Sequence, residues 1–244
     1  MSGPVVALVL AAGQGTRLGR GPKGVVGLGG RPLVTWSLDT LGECAAVDRV
    51  VVVGDKVAIR PALDRLKPEA RAKVACIVPG GASREESCAN GLEAVLDAAV
   101  VVVHDAARPF ASGELFARVA AAAARTGAAL AAVPLTDTLK RVAGDRVVET
   151  VPRAGLWRAQ TPQAAQKLVL HRAHAEAREH RAAGTGDAAA DDGALGTDDV
   201  ALIERLGIPV ELVPGEAWNV KITTPDDHAW AEAWIARGER SGGR

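Results

Sequence analysis

Apolar residues along this chain fall in short unbroken runs rather than in strict alternation. Val5 to Leu10 is uninterrupted, residues 50–53 and 100–103 are four valines each, and 128–133 is a run of alanine, leucine and valine. Runs of this length, rich in branched residues, suit strands buried on both faces, as in a parallel sheet covered by helices. Between them, apolar positions recur near helical spacing, as at Leu33, Trp36 and Leu41. The pattern predicts strands over 5–10, 47–53, 74–78, 100–103, 128–133 and 210–213, with a short one at 220–222. It predicts helices from Pro32, over 58–66, through Ser87, Leu92 and Leu96, over 114–125 and over 164–183. A further helix, capped by 197–199, runs through Leu206, and the last starts at Thr224 as N-cap with Pro225 in its first turn. Regular strand–helix alternation implies an α/β fold with a Rossmann-like, doubly wound, mostly parallel sheet.

Residues 136–157 break the rhythm. Apolar stretches at 139–142 and 147–151 flank Ala143-Gly144-Asp145, which reads as a β-hairpin. A lone hairpin is marginal in water, so this one is expected to pack on its own core or on another subunit. Residues 184–196 are Ala/Gly/Asp-rich and read as a loop; Asp187, Asp191 and Asp192 in it lack calcium-loop spacing. Residues 238–244 read as a flexible tail after one domain spanning 1–237.

Candidate chemistry lies where strands end. After the first strand comes Ala11-Ala12-Gly13-Gln14-Gly15-Thr16-Arg17, then Pro22-Lys23. Glycines let the backbone approach a ligand, and free N–H groups beside cations suit a polyphosphate. A dinucleotide fingerprint requires glycine where Leu18 stands, and a P-loop requires Ser or Thr after Lys23, where Gly24 stands. The nucleotidyltransferase signature, small-small-Gly-x-Gly-x-Arg followed by Pro-Lys, fits at every position. An ordinary strand-to-helix turn is the plain alternative. A second glycine loop, Pro79 to Arg84, and His104-Asp105-Ala106-Ala107-Arg108-Pro109 follow the third and fourth strands. In parallel sheets such ends converge on ligands.

Composition narrows the partners. The 244 residues carry 29 basic and 29 acidic side chains, so no net field favours nucleic acid or a membrane surface. Cys44, Cys76 and Cys88 have no metal spacing and read as small buried residues of a reduced, cytoplasmic protein. The start of the chain has no signal-peptide pattern. His171, His174 and His180 fall on the 164–183 helix without matched carboxylates and read as solvated-face residues. His104 reads as a packed or hydrogen-bonded histidine, and Trp157 and Trp218 as packing residues.

Six separated motifs together resemble the 2-C-methyl-D-erythritol 4-phosphate cytidylyltransferase family. They are the first glycine loop with Pro22-Lys23; Gly80-Gly81 with Arg84 and Ser87; residues 104–109; Asp137-Thr138-Leu139-Lys140-Arg141; Arg153 to Gln163; and Asn219-Val220-Lys221-Ile222-Thr223. The chain departs from the family at Ala82, where Asp is common, at Gly24-Val25, and in a longer loop before Thr197. The resemblance implies a nucleotide-diphospho-sugar-transferase type of fold with a projecting hairpin arm. It implies transfer of CMP from CTP to a polyol phosphate, with Mg²⁺ and a homodimer joined through 136–157. A ribitol- or other pentitol-phosphate cytidylyltransferase would share most of these loops; a non-catalytic nucleotide sensor would lack the cations.

The resemblance also implies roles. Arg17, Lys23, Arg153 and Lys221 would be catalytic through their charge. Ala11, Ala12, Gly13, Gly15, Lys23, Gly80, Gly81, Ala82, Ser87 and Ala106 would bind the nucleotide. Asp105, Arg108, Thr138, Arg153, Thr161, Thr197 and Lys221 would bind the second substrate, with Asp105 also nearest the metal, directly or through water. Thr138 and Arg153 would reach a neighbour's site from the arm.

Overall fold

The computed structural model describes residues 3–13, 15, 21, 23–95, 97–182 and 198–238. Strand β1 (Val5–Leu10) is followed by two-residue strands β2 (Gly27–Leu28) and β3 (Arg31–Pro32), which pair with each other ahead of helix α1 (Leu33–Glu43). Then come β4 (Arg49–Val53), α2 (Lys56–Leu63), α3 (Pro68–Lys73), β5 (Val74–Val78) and α4 (Arg84–Leu92). Next are β6 (Val100–Asp105), α5 (Gly113–Thr126), β7 (Ala128–Pro134), and the hairpin strands β8 (Leu139–Ala143) and β9 (Arg146–Val151). The chain continues through β10 (Trp157–Gln166), α6 (Lys167–Ala182), α7 (Asp199–Arg205), β11 (Glu211–Pro214) and α8 (Pro225–Ala236).

Seven strands form one sheet in the order β11-β7-β10-β6-β1-β4-β5. Strand β10 runs antiparallel to β6 and β7, while the other neighbouring pairs are parallel. The valine runs explain the layering. Ala7, Val9, Val50, Val52, Val100 and Val102 face one core with α1 and α5, while Val6, Leu8, Val51, Val53, Val101 and Val103 face the other with α4, α6 and α7. Successive side chains alternate faces, so an unbroken run serves both layers. A third cluster of Leu28, Leu33, Trp36, Phe110 and Ile222 lies under α8. Thr224 and Asp227 form a reciprocal capping box at the start of α8, with Pro225 in its first turn.

Several expectations need correction. The expected 58–66 helix is α2, which starts earlier, at Lys56, and ends at Leu63; a further helix, α3, follows it unforeseen, and the helix through Leu96 ends as α4 at Leu92. The expected 164–183 helix starts only at Lys167; residues 164–166 belong to β10, a strand not foreseen in the sequence. Trp157-Arg-Ala-Gln-Thr-Pro-Gln-Ala-Ala-Gln166 holds no branched aliphatic residue and a proline, which argue against a central strand. It is accommodated by a register shift between Ala159 and Gln163, around a cis Thr161–Pro162 bond. Residues 220–222 are not a strand, because their donors make no ladder: Val220 N turns back to the Trp218 carbonyl, and Ile222 N bonds the carbonyl of Ala107, in the loop after β6.

Burial also departs in places. Cys76 is exposed on β5, an edge strand, unlike buried Cys44 and Cys88. Trp157 is exposed, whereas Trp218 packs against the third cluster. His174 is buried, because α6 turns it toward Asp199 at the start of α7. Within the 136–157 segment β8 and β9 form their own two-stranded sheet, with Val142, Val147 and Val148 exposed, while Trp157 opens β10 in the main sheet. The 184–196 loop, Thr197 and all of the 238–244 tail except Gly238 lie outside the described residues. Among the described residues no helix is long and apolar enough to cross a membrane.

Helix α1 meets α3 at a glycine. A Cβ on Gly42 would stand 2.4 Å from the Ala70 Cα, so only glycine permits this backbone contact. Alanine normally gains ~1 kcal/mol over glycine inside a helix. Gly42→Ala should instead destabilise by roughly 1–3 kcal/mol through overpacking. Urea unfolding would show this as a lower midpoint at unchanged slope; a raised midpoint would refute the contact.

Candidate active site

Strand order reverses between β1 and β6: the chain leaves β1 for β4 and β5, then returns to pair β6 on the other side of β1. In open α/β sheets a ligand crevice forms at the carboxyl ends beside such a reversal. A crevice of about 550 Å³ lies there, the size of a small-molecule site. The loop after β1 supplies Ala11, Ala12, Gly13 and Gly15; the loop into α4 supplies Gly81, Ala82 and Ser87. Asp105 and Ala106 come from the end of β6, and Lys221 and Thr223 close the far side. A depression of about 940 Å³ beside α1 and α5 is larger. Of its lining cations, Arg31 pairs with Asp39, Lys67 pairs with Glu43, and Arg118 bonds the Pro214 carbonyl.

The two glycine loops touch. A Cβ on Gly80 would lie 2.2 Å from the Ala12 Cβ, so glycine sets their approach. Gly80 itself is not part of the crevice wall. Helix α4 braces the second loop: the Ser87 hydroxyl accepts from Gly81 N at 3.0 Å and donates to the Ser83 carbonyl at 2.8 Å. Ala82 N donates to Glu86 Oε2 at 2.7 Å, and the Ser83 hydroxyl caps the helix.

Charge gathers on Asp105. Arg84 Nε lies 3.1 Å from its Oδ1 and Lys221 Nζ 2.7 Å from its Oδ2. Burial alone would raise the Asp105 pKa, but Arg84, Lys221 and Arg108 outweigh it and hold the carboxyl well below the usual range. It is therefore an anion at neutral pH. Arg84 also reaches Asp199 Oδ2 at 2.8 Å; burial opposes its charge, and Asp199 and Asp105 more than restore it. Its Nη2 is buried without a hydrogen-bond partner among the described residues.

His104, wholly buried, supports this end of β6. Its Nε2 lies 3.1 Å from the Arg108 carbonyl and 3.2 Å from the Ser37 hydroxyl, and its Nδ1 lies 3.1 Å from the Thr161 hydroxyl. A carbonyl only accepts, so Nε2 carries the proton and Nδ1 accepts from Thr161. That hydroxyl in turn accepts from Asp105 N at 3.0 Å. Burial lowers the His104 pKa to about 4, so the ring is neutral near pH 7.

Other expected site residues fall away from the crevice wall. Thr161 is buried behind Asp105. Arg108 donates to the carbonyls of Asn219 and Ala159, at 2.8 and 3.2 Å. Thr138 and Arg153 are exposed on the hairpin arm, where Arg153 bonds the Thr136 carbonyl. Arg17, Thr197 and the Lys23 side chain lie outside the described residues; the Lys23 backbone opens a short 3-10 turn, Lys23–Val25. The sequence had flagged Arg84 in a motif without giving it a role. Thr223 likewise stood in a motif without a role, and Asp199 was read only as part of the cap of α7 and missed as a partner of this region.

Fold and crevice define a nucleotidyltransferase: glycine loops at a strand-order reversal, with cations at the edge of a space large enough for a small molecule. A family model for "2-C-methyl-D-erythritol 4-phosphate cytidylyltransferase" matches residues 5–237. The chain is 40% identical to the protein of that name from Syntrophus aciditrophicus, covering 98% of this chain and 99% of that one. It is 46% identical to the bifunctional enzyme IspD/IspF of Anaeromyxobacter dehalogenans, over 96% of this chain and 58% of that protein. The crystal structure of 2-C-methyl-D-erythritol 4-phosphate cytidylyltransferase from Thermus thermophilus superposes with a TM-score of 0.74 at 37% identity, covering 97% of this chain and 100% of that one. The chain belongs to the 2-C-methyl-D-erythritol 4-phosphate cytidylyltransferase family.

The buried imidazole carries a pH dependence. Unfolded, His104 binds its proton near pH 6.5; folded, only near 4. Between these values the unfolded state binds more protons. Stability should be full above pH 6.5 and fall by on the order of 3 kcal/mol by pH 4. Asp199, lowered to about 2, and Asp105 lose their contributions at still lower pH. Denaturant titrations at stepped pH should show a flatter 4–6.5 segment for His104→Gln than for the parent chain. Equal slopes would assign that segment to other groups.

Proposed function

We propose that the crevice binds CTP and that the chain transfers CMP to 2-C-methyl-D-erythritol 4-phosphate. The products are 4-diphosphocytidyl-2-C-methyl-D-erythritol and pyrophosphate, in the non-mevalonate isoprenoid pathway. One observation carries this reading: Lys221 stands across Asp105 from Arg84 at the rim of a glycine-walled crevice. An attacking phosphate is already anionic at neutral pH, so the reaction needs no general base. It needs two anions aligned and the charge building on the α-phosphate offset. Arg17 and Lys23 would serve the α-phosphate and the leaving pyrophosphate. Lys221 would hold the attacking phosphate, with Asp105 keeping its ammonium in place and contacting polyol hydroxyls.

Among the described crevice residues Asp105 is the one carboxylate, and both its oxygens already face cations. This donor set fits Mg²⁺ carried on the triphosphate and reached through water at Asp105 better than a metal caged by protein. When bound, Mg²⁺ would neutralise triphosphate charge and favour departure of pyrophosphate.

The arm supports a homodimer. Val142, Val147 and Val148 on its hairpin strands, with Leu156 and Trp157 just after them, are exposed apolar residues of the kind a second subunit covers. Thr138 and Arg153 lie on that arm, away from their own crevice wall, consistent with service to a neighbour's site. Residues 1–237 would act as one domain, in the cytoplasm.

Purified protein with CTP and Mg²⁺ should release pyrophosphate with 2-C-methyl-D-erythritol 4-phosphate and far more slowly with ribitol 5-phosphate; the reverse order would replace the substrate. UTP in place of CTP should lower kcat/KM, and equal values would remove the cytosine preference. Lys23→Ala should lower turnover roughly 10²–10³-fold, as for one lost oxyanion donor. Arg153→Ala should also be inactive, and mixing the two variants should restore activity. In each mixed dimer one composite site has both groups intact. Failure to recover, with mixed dimers verified, would place Arg153 in its own chain's site.

A further inference from the structure

Behind the crevice lies a second buried carboxylate that the proposed reaction does not use. Asp199 is the first residue of α7 and is 2% exposed. Its Oδ2 holds Arg84 Nη1 at 2.8 Å, and its Oδ1 faces His174 Nε2 at 3.1 Å. Its backbone N donates to Gln163 Oε1 at 3.1 Å, and Val200 N to the same oxygen at 3.3 Å. The first turn of α7 is thus pinned to β10 and cannot drift relative to β6. Arg84 spans two fixed anions, Asp199 by Nη1 and Asp105 by Nε.

Cys88, His174 and Asp199 also present potential metal-ligand atoms within 4.8 Å of one another. The positive charge that Asp199 requires is already supplied by Arg84. The Cys88 thiol, fully buried beside Asp199, has its pKa pushed well up and stays a neutral thiol. The cluster is better suited to aiming an arginine than to binding a cation.

We infer that Asp199, backed by His174, is a positioning residue for the transfer reaction: it fixes Arg84 so that Asp105 is held in one orientation toward Lys221. A carboxylate with a cation on each oxygen has little freedom to rotate. With Asp199 neutralised, Arg84 keeps only Asp105 as its anionic partner and can swing into the crevice it lines. Asp105 and the Lys221 ammonium would then shift together. The group most affected is the one Lys221 is proposed to hold, the attacking phosphate, so this inference rests on the substrate assignment above. The nucleotide lies against the glycine loops and should be little affected.

The test is Asp199→Asn, which keeps shape and removes charge, with two independent readouts. In steady-state kinetics the polyol-phosphate KM should rise and kcat fall, together lowering kcat/KM about tenfold or more for a misplaced group. The CTP KM should stay within about twofold of the parent. A structural defect that only lowers the active fraction would reduce kcat and leave both KM values alone. Asp199→Glu, which keeps the charge, should recover part of the loss. In ¹⁵N NMR the Arg84 Nε–H, which donates to Asp105 while Nη1 holds the guanidinium on Asp199, should give a slowly exchanging signal that Asp199→Asn loses as the guanidinium swings away. If Asp199→Asn does not fold, His174→Leu takes its place, with a smaller change in the same direction and His174→Gln as its conservative control. If the parent enzyme does not use the polyol phosphate, the substrate assignment fails, and the Arg84 signal still tests the geometry. Parent-like KM values in a folded variant, or an unchanged Arg84 signal, would overturn the positioning role.

Discussion

A charged carboxylate buried at the end of a central strand is the constraint on which this site depends. Taking Asp105 out of water costs several kcal/mol unless cations and hydrogen bonds replace the lost solvent. Its oxygens therefore draw in Arg84 from α4 and Lys221 from the segment before α8. Arg84, itself buried, draws in Asp199 from α7. Three elements far apart in the chain meet at one strand end because an unpaired charge there would be too costly. Arg84 is shared between Asp105 and Asp199, and Asp105 between Arg84 and Lys221, so removing one member weakens the pairing of the next and the group acts as a unit rather than as separate ion pairs.

Strand β10 completes the arrangement from the other side with polar side chains where a core strand would ordinarily carry aliphatic ones. Gln160 bonds Glu216 and Asn219, Thr161 bonds Asp105 N and His104, and Gln163 bonds the start of α7. Each is buried and each ties a different segment to the sheet. Satisfied buried polar groups give geometric specificity that apolar packing lacks, since each bond tolerates little displacement. The neutral His104 fits the same logic: it serves as donor and acceptor in a place where a charged ring would be unstable.

The resulting crevice combines two kinds of wall. The glycine loops offer backbone close to a ligand, held in shape by α4 through Ser87 and Glu86. The opposite wall offers the long Lys221 side chain, anchored on Asp105. A rigid wall suits a nucleotide that must be placed once, and an anchored but extended lysine suits a phosphate whose geometry changes during transfer. The exposed hairpin lies outside this frame, and its exposed valines are not covered by the chain's own core.

The sequence by itself determined the central strands and most helices, because valine runs buried on both faces and capping residues such as Thr224 act locally. It also placed the glycine loops and the Asp105 turn at strand ends, where a parallel sheet directs ligands. The family motifs named Lys221 and Asp105, but not that they pair. Only the tertiary structure decided that residues 157–166 enter the sheet, that 220–222 do not, and that His174 and Asp199 stand behind Arg84. Those outcomes depend on hydrogen bonds and charges supplied by segments distant in sequence. In sequence His174 reads as a solvated-face residue, Asp199 as part of a helix cap and Gln163 as part of a motif, since nothing local compensates their burial. Their partners come from β10, α4, α6 and α7 only after the sheet has brought those elements together.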